Sequence, residues 1–233
     1  MSLKIKLDML AHLPFFRGLT MEDLAAVSPL LYEKKYKKGS IIFLERDTGE
    51  ELYIIKTGLV KIYSFDGAKK VILAFFRDGD YFGEMALIGD GMVRSATAET
   101  LETTVVYVLK RSDFENLLEH NHKMTRTLLA YTMERLRKSN EQIQDLTFLS
   151  VRMRILKILL RLSKDHGVQT SGGLLIDLKL THQQIADLVG AVRETVTKVL
   201  LDLQESEYIS VDQKKIMIKN PAVLEQMLSD FVS

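Results

Sequence analysis

Between Ser40 and Arg111 the chain alternates short apolar runs with glycine-bearing turns, and this texture restricts the fold more than any other feature. The runs are Ile41-Ile42-Phe43-Leu44, Leu52-Tyr53-Ile54-Ile55, Leu59-Val60-Lys61-Ile62-Tyr63, Val71-Ile72-Leu73-Ala74-Phe75-Phe76 and Thr104-Val105-Val106-Tyr107-Val108-Leu109. All are rich in β-branched and aromatic residues, which suit a pleated, half-buried surface. Lys38-Gly39, Thr57-Gly58, Asp66-Gly67 and Asp78-Gly79 punctuate them. Asp66-Gly67 predicts a hairpin with a type I′ turn, whose two central residues need positive φ. Many short strands with regular turns imply a barrel, roll or sandwich.

The flanks are helical in pattern. Residues 1–38 read as helices with a turn at Pro14, and Thr20 is placed to cap a helix starting at Met21, with Asp23 in its first turn. Ser112 and Glu115 have capping-box spacing. From His122 to Leu146 there is neither Gly nor Pro, so a helix of roughly 37 Å is expected. Leu129, Thr132, Leu136, Ser139, Ile143 and Leu146 recur at alternating spacings of three and four, a coiled-coil stripe interrupted by two hydroxyls. Such a stripe serves either a helix packed on its own domain or a dimer helix with something polar beside Ser139. Residues 149–233 form a second domain, with an amphipathic helix over Val151 to Ser163 and a loop over 165–173.

Composition sets limits. At 233 residues, 46% hydrophobic and 27% charged, the chain is an ordinary folded protein of one large or two modest domains. Its net charge of +1 does not by itself point to nucleic acid. The absence of cysteine fits a reducing compartment and removes disulfides, thiolate-bound zinc and cysteine-ligated iron–sulfur clusters. The longest apolar run, Val71 to Phe76, is far short of a membrane span. The N-terminus lacks a long apolar stretch, so no secretory signal is expected and the protein reads as cytoplasmic.

Two segments carry chemistry. The first is Phe82-Gly83-Glu84-Met85-Ala86-Leu87, followed by Arg94-Ser95-Ala96-Thr97. Glycine lets backbone N–H groups approach an anion. Glutamate accepts from a sugar hydroxyl, arginine offers a planar fork to a phosphodiester, and Ser95 adds a neutral donor. The interval from Glu84 to Arg94 allows a short helical turn and a return into a strand. The bland alternative is an internal Glu84–Arg94 ion pair in a roll with no ligand.

The second segment runs from Thr181 to Leu200 and reads as helix, tight turn, helix. Thr181 and Gln184 make a capping box, Ala186 is small where two helices cross, and Gly190 permits a left-handed turn. Val196, Val199 and Leu200 face inward, which leaves Arg193, Glu194, Thr197 and Lys198 outside. Arginine pairs with guanine and glutamate accepts from cytosine, while Thr181, His182 and Thr195 suit phosphates. Ile209-Ser210-Val211 and Ile216-Met217-Ile218 flank Lys214 and Lys215 as a hairpin wing. Residues 149–233 hold 11 Lys+Arg against 10 Asp+Glu, so bulk charge does not exclude an ordinary three-helix domain with a solvated face.

The first segment, with Leu13 to Leu19, Gly39, Leu52 to Ile55, Gly58 and Gly79 to Glu84, resembles cyclic-nucleotide-binding domains. With the 181–200 block, and Leu146-Thr147-Phe148-Leu149 as a hinge, nearly the whole chain resembles the Crp/Fnr family of bacterial regulators. The resemblance implies an α+β architecture. A double-stranded β-helix, or jelly roll, and a long dimerisation helix at about 122–147 fill residues 1–148. A winged helix-turn-helix follows over 149–233. It implies a cyclic AMP effector and no prosthetic group. Glu84 would hold the ribose, and Arg94 and Ser95 the cyclic phosphate with N–H groups near Gly83, Met85 and Ala86. Arg135 would pair with Glu84, and Ser139 would touch the base, with Asn140 beside it from the other subunit. Arg193, Glu194 and Lys198 would read bases with Val192 at the helix start. The implied partners are a second copy of the chain, a palindromic double-stranded operator and RNA polymerase.

Five positions depart from the family pattern, one of them Asn140, which replaces a second hydroxyl. Arg46 replaces a glycine, Val93 stands where a proline precedes Arg94, Val192 replaces a common serine, and Lys198 replaces an arginine. No nucleophile–base pair, Walker loop or metal-ligand run supports an enzyme, and His12, His120, His122, His166 and His182 form no metal set.

Overall fold

A computed structural model describes residues 3–89 and 91–229. The chain divides into two compact units, residues 1–137 and 138–233. The first begins with α1 (Leu3–His12), a 3₁₀ turn at Pro14–Phe16 and α2 (Met21–Val27). Thr20 caps α2 in a reciprocal capping box with Asp23.

Eight strands follow: β1 (Tyr32–Tyr36), β2 (Ile41–Phe43), β3 (Glu51–Thr57), β4 (Val60–Phe65), β5 (Lys70–Phe76), β6 (Tyr81–Phe82), β7 (Thr97–Thr100) and β8 (Thr104–Lys110). They form two antiparallel sheets, ordered β1-β8-β3-β6 and β2-β7-β4-β5. Leu52 to Ile55 of β3 are all buried because both faces of its sheet are covered. Tyr53, Ile55, Val106 and Val108 join the core that includes Val60, Ile62 and Ala98 of the opposite sheet. The alternate residues Leu52, Ile54, Tyr107 and Leu109 pack with Leu10, Leu24 and Phe114 of the helices.

After α3 (Arg111–His120), α4 runs unbroken from His122 to Phe148. Met124 and Leu128 are buried in the helix-side core. Leu129, Leu136, Ile143 and Leu146 are 46–62% exposed, so the coiled-coil stripe is turned away from the core. Thr132 donates its hydroxyl to the Leu128 carbonyl of the same helix at 2.8 Å.

The second unit contains α5 (Val151–His166), β9 (Gly167–Thr170), β10 (Gly173–Ile176), α6 (His182–Val189), α7 (Arg193–Glu205), β11 (Ile209–Asp212), β12 (Lys215–Ile218) and α8 (Pro221–Ser229). Its sheet is ordered β11-β12-β10-β9. Ile155, Leu159, Ile185, Val196, Leu200 and Leu203 are buried.

Four local expectations need correction. Residues 32–36 form a strand rather than helix: Tyr32 through Tyr36 pair in register with Val108 through Thr104, and this tertiary ladder overrides a charged sequence with weak β signal. Helix α3 begins at Arg111 with Lys110 as N-cap and no side-chain cap, so Ser112 lies inside the first turn. The 165–173 segment continues α5 to His166 and then forms the β9–β10 hairpin, held by pairing of Leu174 with both Gln169 and Ile218. The Asp66-Gly67 hairpin joins β4 to β5, but only Gly67 has positive φ. There the Asp66 carboxylate accepts from the Ala68 and Lys69 N–H groups at 3.0 and 2.7 Å. The two-residue turn with both φ positive occurs instead at Gln213-Lys214, the tip of the β11–β12 hairpin.

Candidate functional site

In the first unit, Gly83, Glu84, Met85, Ala86, Arg94, Ser95 and Arg135 line one small cavity, together with Phe43, Ile62, Phe76, Phe82 and Ala96. Seven of the nine ligand-site residues expected from sequence are thus brought together. Ser139 and Asn140 lie farther along α4, within the second unit, and both are exposed.

The cavity's floor is local in origin. After β6 the backbone turns at Gly83, φ +90°, into a 3₁₀ turn over Glu84–Ala86. Any other residue at 83 would strain the backbone, and its Cβ would stand 2.7 Å from Arg94 Nη1 and 3.2 Å from the Glu51 carbonyl. The first N–H groups of such a turn have no partner within it.

Arg94 is held from several sides. Nη1 donates to the Gly83 carbonyl at 2.7 Å and Nη2 to the Glu51 carbonyl at 2.8 Å. The guanidinium carbon lies 4.3 Å from the centre of the Phe43 ring and 5.7 Å from that of Tyr53, a cation–π seat. Burial pushes its pKa down, opposed by the charges of nearby groups including Glu51 and Glu84. Its Nε is buried without a hydrogen-bond partner among the described residues.

Glu84 is also buried, and its Oε1 is paired with Arg135. Its Oε2 is buried with no hydrogen bond among the described residues. The expected alternative, a Glu84–Arg94 ion pair, is not among the ion pairs of the described residues. Among the described residues the Ser95 hydroxyl donates to the Met85 sulfur, at 3.6 Å. Two of the lining residues therefore carry buried polar atoms with no hydrogen bond among the described residues, the acceptor Glu84 Oε2 and the donor Arg94 Nε, in a largely apolar setting. A sugar hydroxyl and an anionic phosphate match that pair in kind. The free volume is only about 30 Å³, the share of one water, so a nucleotide requires side-chain movement. Met85 and Ser95 are the exposed residues of the lining, and Arg135 is half-buried.

Sequence reading missed the supports. Arg111 donates to the carbonyls of Gly49 at 2.8 Å and Leu87 at 3.1 Å, and also to that of Ala86, tying down the end of the 3₁₀ turn. A cation at a helix start opposes the macrodipole; these carbonyls explain its presence. Glu51 and Tyr53 position Arg94 from β3. No local signal marks these residues, because their partners lie 24 to 62 positions away.

In the second unit, Thr181 caps α6 through a complete capping box with Gln184. Gly190 adopts the left-handed conformation, φ 66° and ψ 40°, and the chain turns into α7. Arg193, Glu194 and Lys198 are exposed along the first turns of α7, while Thr195 and Thr197 are half-buried. The Thr197 hydroxyl donates to the Arg193 carbonyl and stands 2.9 Å from His182 Nδ1. With its own hydrogen given to that carbonyl, the Thr197 oxygen accepts from His182 Nδ1–H and ties α6 to α7, leaving Nε2 as the ring's remaining polar atom. Val192 is 62% exposed and gives α7 no side-chain cap, so N–H groups of the first turn remain available to an acceptor. Lys215 at the wing is paired with Asp177, and Lys214 is exposed.

Comparison with known proteins agrees with both halves. Residues 33–121 match the family model of the cyclic nucleotide-binding domain, and residues 153–227 that of the Crp-like helix-turn-helix domain. The chain is 32% identical to the CRP-like cAMP-activated global transcriptional regulator of Mycobacterium tuberculosis, over 91% of this chain and 95% of the relative. It is 29% identical to the global nitrogen regulator of Synechococcus elongatus, over 86% and 91% of the two chains. Among solved structures, FixK2 from Bradyrhizobium japonicum superposes with a TM-score of 0.74 at 25% identity, covering 84% of this chain and 96% of that one. These relatives are regulators rather than enzymes. Among the described residues no helix is long and apolar enough to cross a membrane.

Proposed function

Because the chain belongs to the Crp/Fnr family of DNA-binding transcriptional regulators, we propose that it is a cytoplasmic homodimer whose affinity for a palindromic operator is set by cyclic AMP in the β-roll. One observation carries the effector reading: seven of the nine expected residues line one pocket, and two of them, Glu84 and Arg94, carry a buried polar atom with no hydrogen bond among the described residues.

In this reading Glu84 Oε2 accepts from the ribose 2′-hydroxyl. Arg94 turns part of its fork from the Gly83 and Glu51 carbonyls to the cyclic phosphate. Ser95 exchanges a weak sulfur contact for a phosphate oxygen, and N–H groups at Met85 and Ala86 complete the cradle. Ser139 meets the base, with Asn140 of the second copy. Arg135 leaves or shares Glu84, so the ligand acts directly on α4. The effector then favours one arrangement of the DNA-binding units through its differential affinity for the two states.

On DNA, α7 enters the major groove. Arg193 donates to guanine, Glu194 accepts from cytosine, and Lys198 and Val192 contact neighbouring bases. Thr181, His182 and Thr195 hold phosphates, and Thr197 acts by aligning His182 and α7. Two such helices about 34 Å apart fit successive major grooves of a palindrome. Bound there, the protein presents a surface to RNA polymerase.

Calorimetry with cyclic AMP, repeated on Arg94→Ala, tests the pocket. Loss of one charge-assisted phosphate contact, about 1.5–3 kcal/mol, weakens binding roughly 10- to 150-fold. No heat at millimolar ligand, or undiminished affinity in Arg94→Ala, sinks the assignment. A second reading is a regulator with another effector or none, favoured by Asn140 in place of a hydroxyl and by the similarity to a global nitrogen regulator. Operator binding by ligand-free protein that cyclic AMP leaves unchanged would select it.

A further inference from the structure

A cavity of about 760 Å³ lies within the second unit, walled by the end of α4, α5, the end of α6 and α8. Small-molecule sites typically occupy about 300–1,000 Å³. Leu149, Ile158, Leu188 and Val189 are among its apolar walls.

Its cations are unevenly matched. Lys157 is paired with Asp145 at 2.6 Å and Lys164 with Glu225 at 3.6 Å. Among the described residues the Arg154 side chain makes only long bonds, 3.3 and 3.4 Å, to the Leu146 and Leu149 carbonyls, and its Nε is buried without a partner. Arg161, on the same wall, has no hydrogen bond or ion pair among the described residues. Burial pushes its pKa down, and Asp165, Asp145 and Glu141 act on it only through their charge. Arg161 is half-buried and Arg154 Nε is fully buried without a partner among the described residues; an anion entering the cavity would give both a counter-ion.

The cavity is also distinct from the dimer stripe. Glu141, Asp145 and Phe148 line it from one face of α4. At 3.6 residues per turn this face is roughly opposite Ser139 and Ile143. A second α4 seated on the stripe therefore leaves the cavity open, with Leu146 alone of the stripe at its rim.

We propose that this cavity is a second ligand site, one that takes an amphipathic organic anion, its carboxylate on Arg154 and Arg161 and its hydrocarbon body along the apolar walls. The proposal does not depend on the identity of the effector in the roll.

The chain has no tryptophan, and Phe148 is a 79% exposed residue of the cavity wall. Full-length Phe148→Trp thus carries a single local reporter, to be titrated with decanoate below its micelle concentration. A saturable emission shift is expected with a Kd below about 1 mM. Adding Arg161→Gln, or replacing decanoate by decan-1-ol, should weaken it at least about tenfold through loss of the charged contact. If Arg161→Gln does not fold, Arg154→Gln serves in its place. No saturable shift, or equal affinity for the arginine variant or the neutral alcohol, overturns the proposal.

Discussion

At the residue scale, the pocket depends on space as much as on charge. A Cβ on Gly49 would stand 2.4 Å from Ala86 Cβ and 2.9 Å from Arg94 Cζ. Gly49→Ala should therefore push Arg94 off its seat. Overpacking of this kind costs about 1–3 kcal/mol, to be seen as a lower Tm in calorimetry together with weaker cyclic AMP binding. A stable variant of unchanged affinity would show that Arg94's seat is adaptable. Arg46 makes the complementary point. Its φ of 72° is left-handed, which is why the family pattern has glycine there and why the departure affects a loop rather than a ligand. The sequence marked Gly83, Glu84, Arg94 and Ser95 because they lie close together in the chain. It was silent on Gly49, Glu51 and Arg111, whose roles arise only when distant strands bring carbonyls and rings together.

At the scale of single elements, helix starts were legible where a side chain could reach its own backbone three residues on. Thr20 and Thr181 were found this way, and Ser112 misled because the β8 strand runs directly into α3. Helix α7 begins with Val192 at φ −87°, ψ 148° and no cap, a backbone suited to a capping hydroxyl. Val192→Ser should raise stability by about 1 kcal/mol, measured as a shift of the denaturant midpoint at constant slope. Between β1 and β3, the Tyr32 and Tyr53 hydroxyls both donate to the Glu51 carboxylate. Burial, and then the bond to Glu51, push Tyr32 up to about 12. Its folded value exceeds the ordinary 10, so its contribution is full below pH 10 and is lost as pH rises through about 12. Burial acts upward on Glu51 too but is outweighed by the two hydroxyls, which hold it below its ordinary value. Its contribution is present above the ordinary carboxylate range and is lost as pH falls through the lowered value. A Tm–pH profile should thus fall at both ends, and Tyr32→Phe should flatten the alkaline limb. An alkaline limb of unchanged slope in that variant would mean that other groups cause it.

At the scale of the whole molecule, the exposed stripe of α4 is the feature a single chain leaves unexplained. Leu129, Leu136 and Ile143 are 53–62% exposed at heptad spacing, as a helix awaiting a second helix should be. Ile143→Asp should convert the proposed dimer to monomer in sedimentation and abolish binding to a full palindrome, leaving each monomer folded. A variant that stays dimeric would place the interface elsewhere. The architecture was largely legible: two sheets of short strands, one long helix and a helix-turn-helix all follow from period-two and period-3.6 patterns, caps and turn residues, which act over a few positions. What the sequence by itself determined was therefore the kind of each main element and the identity of the charged groups in the two candidate sites. Tertiary structure alone decided that residues 32–36 pair as a strand and that Arg94 is held by the Gly83 and Glu51 carbonyls, and it selected the Glu84–Arg135 pair that the family resemblance implied over a Glu84–Arg94 pair. It also decided that Arg111 clamps the Glu84–Ala86 turn and that Arg154 and Arg161, with no ion pair among the described residues, line a cavity beside α5. Those outcomes depend on burial and on partners far apart in the chain, and no local pattern encodes the partner of a hydrogen bond that forms only when the core closes.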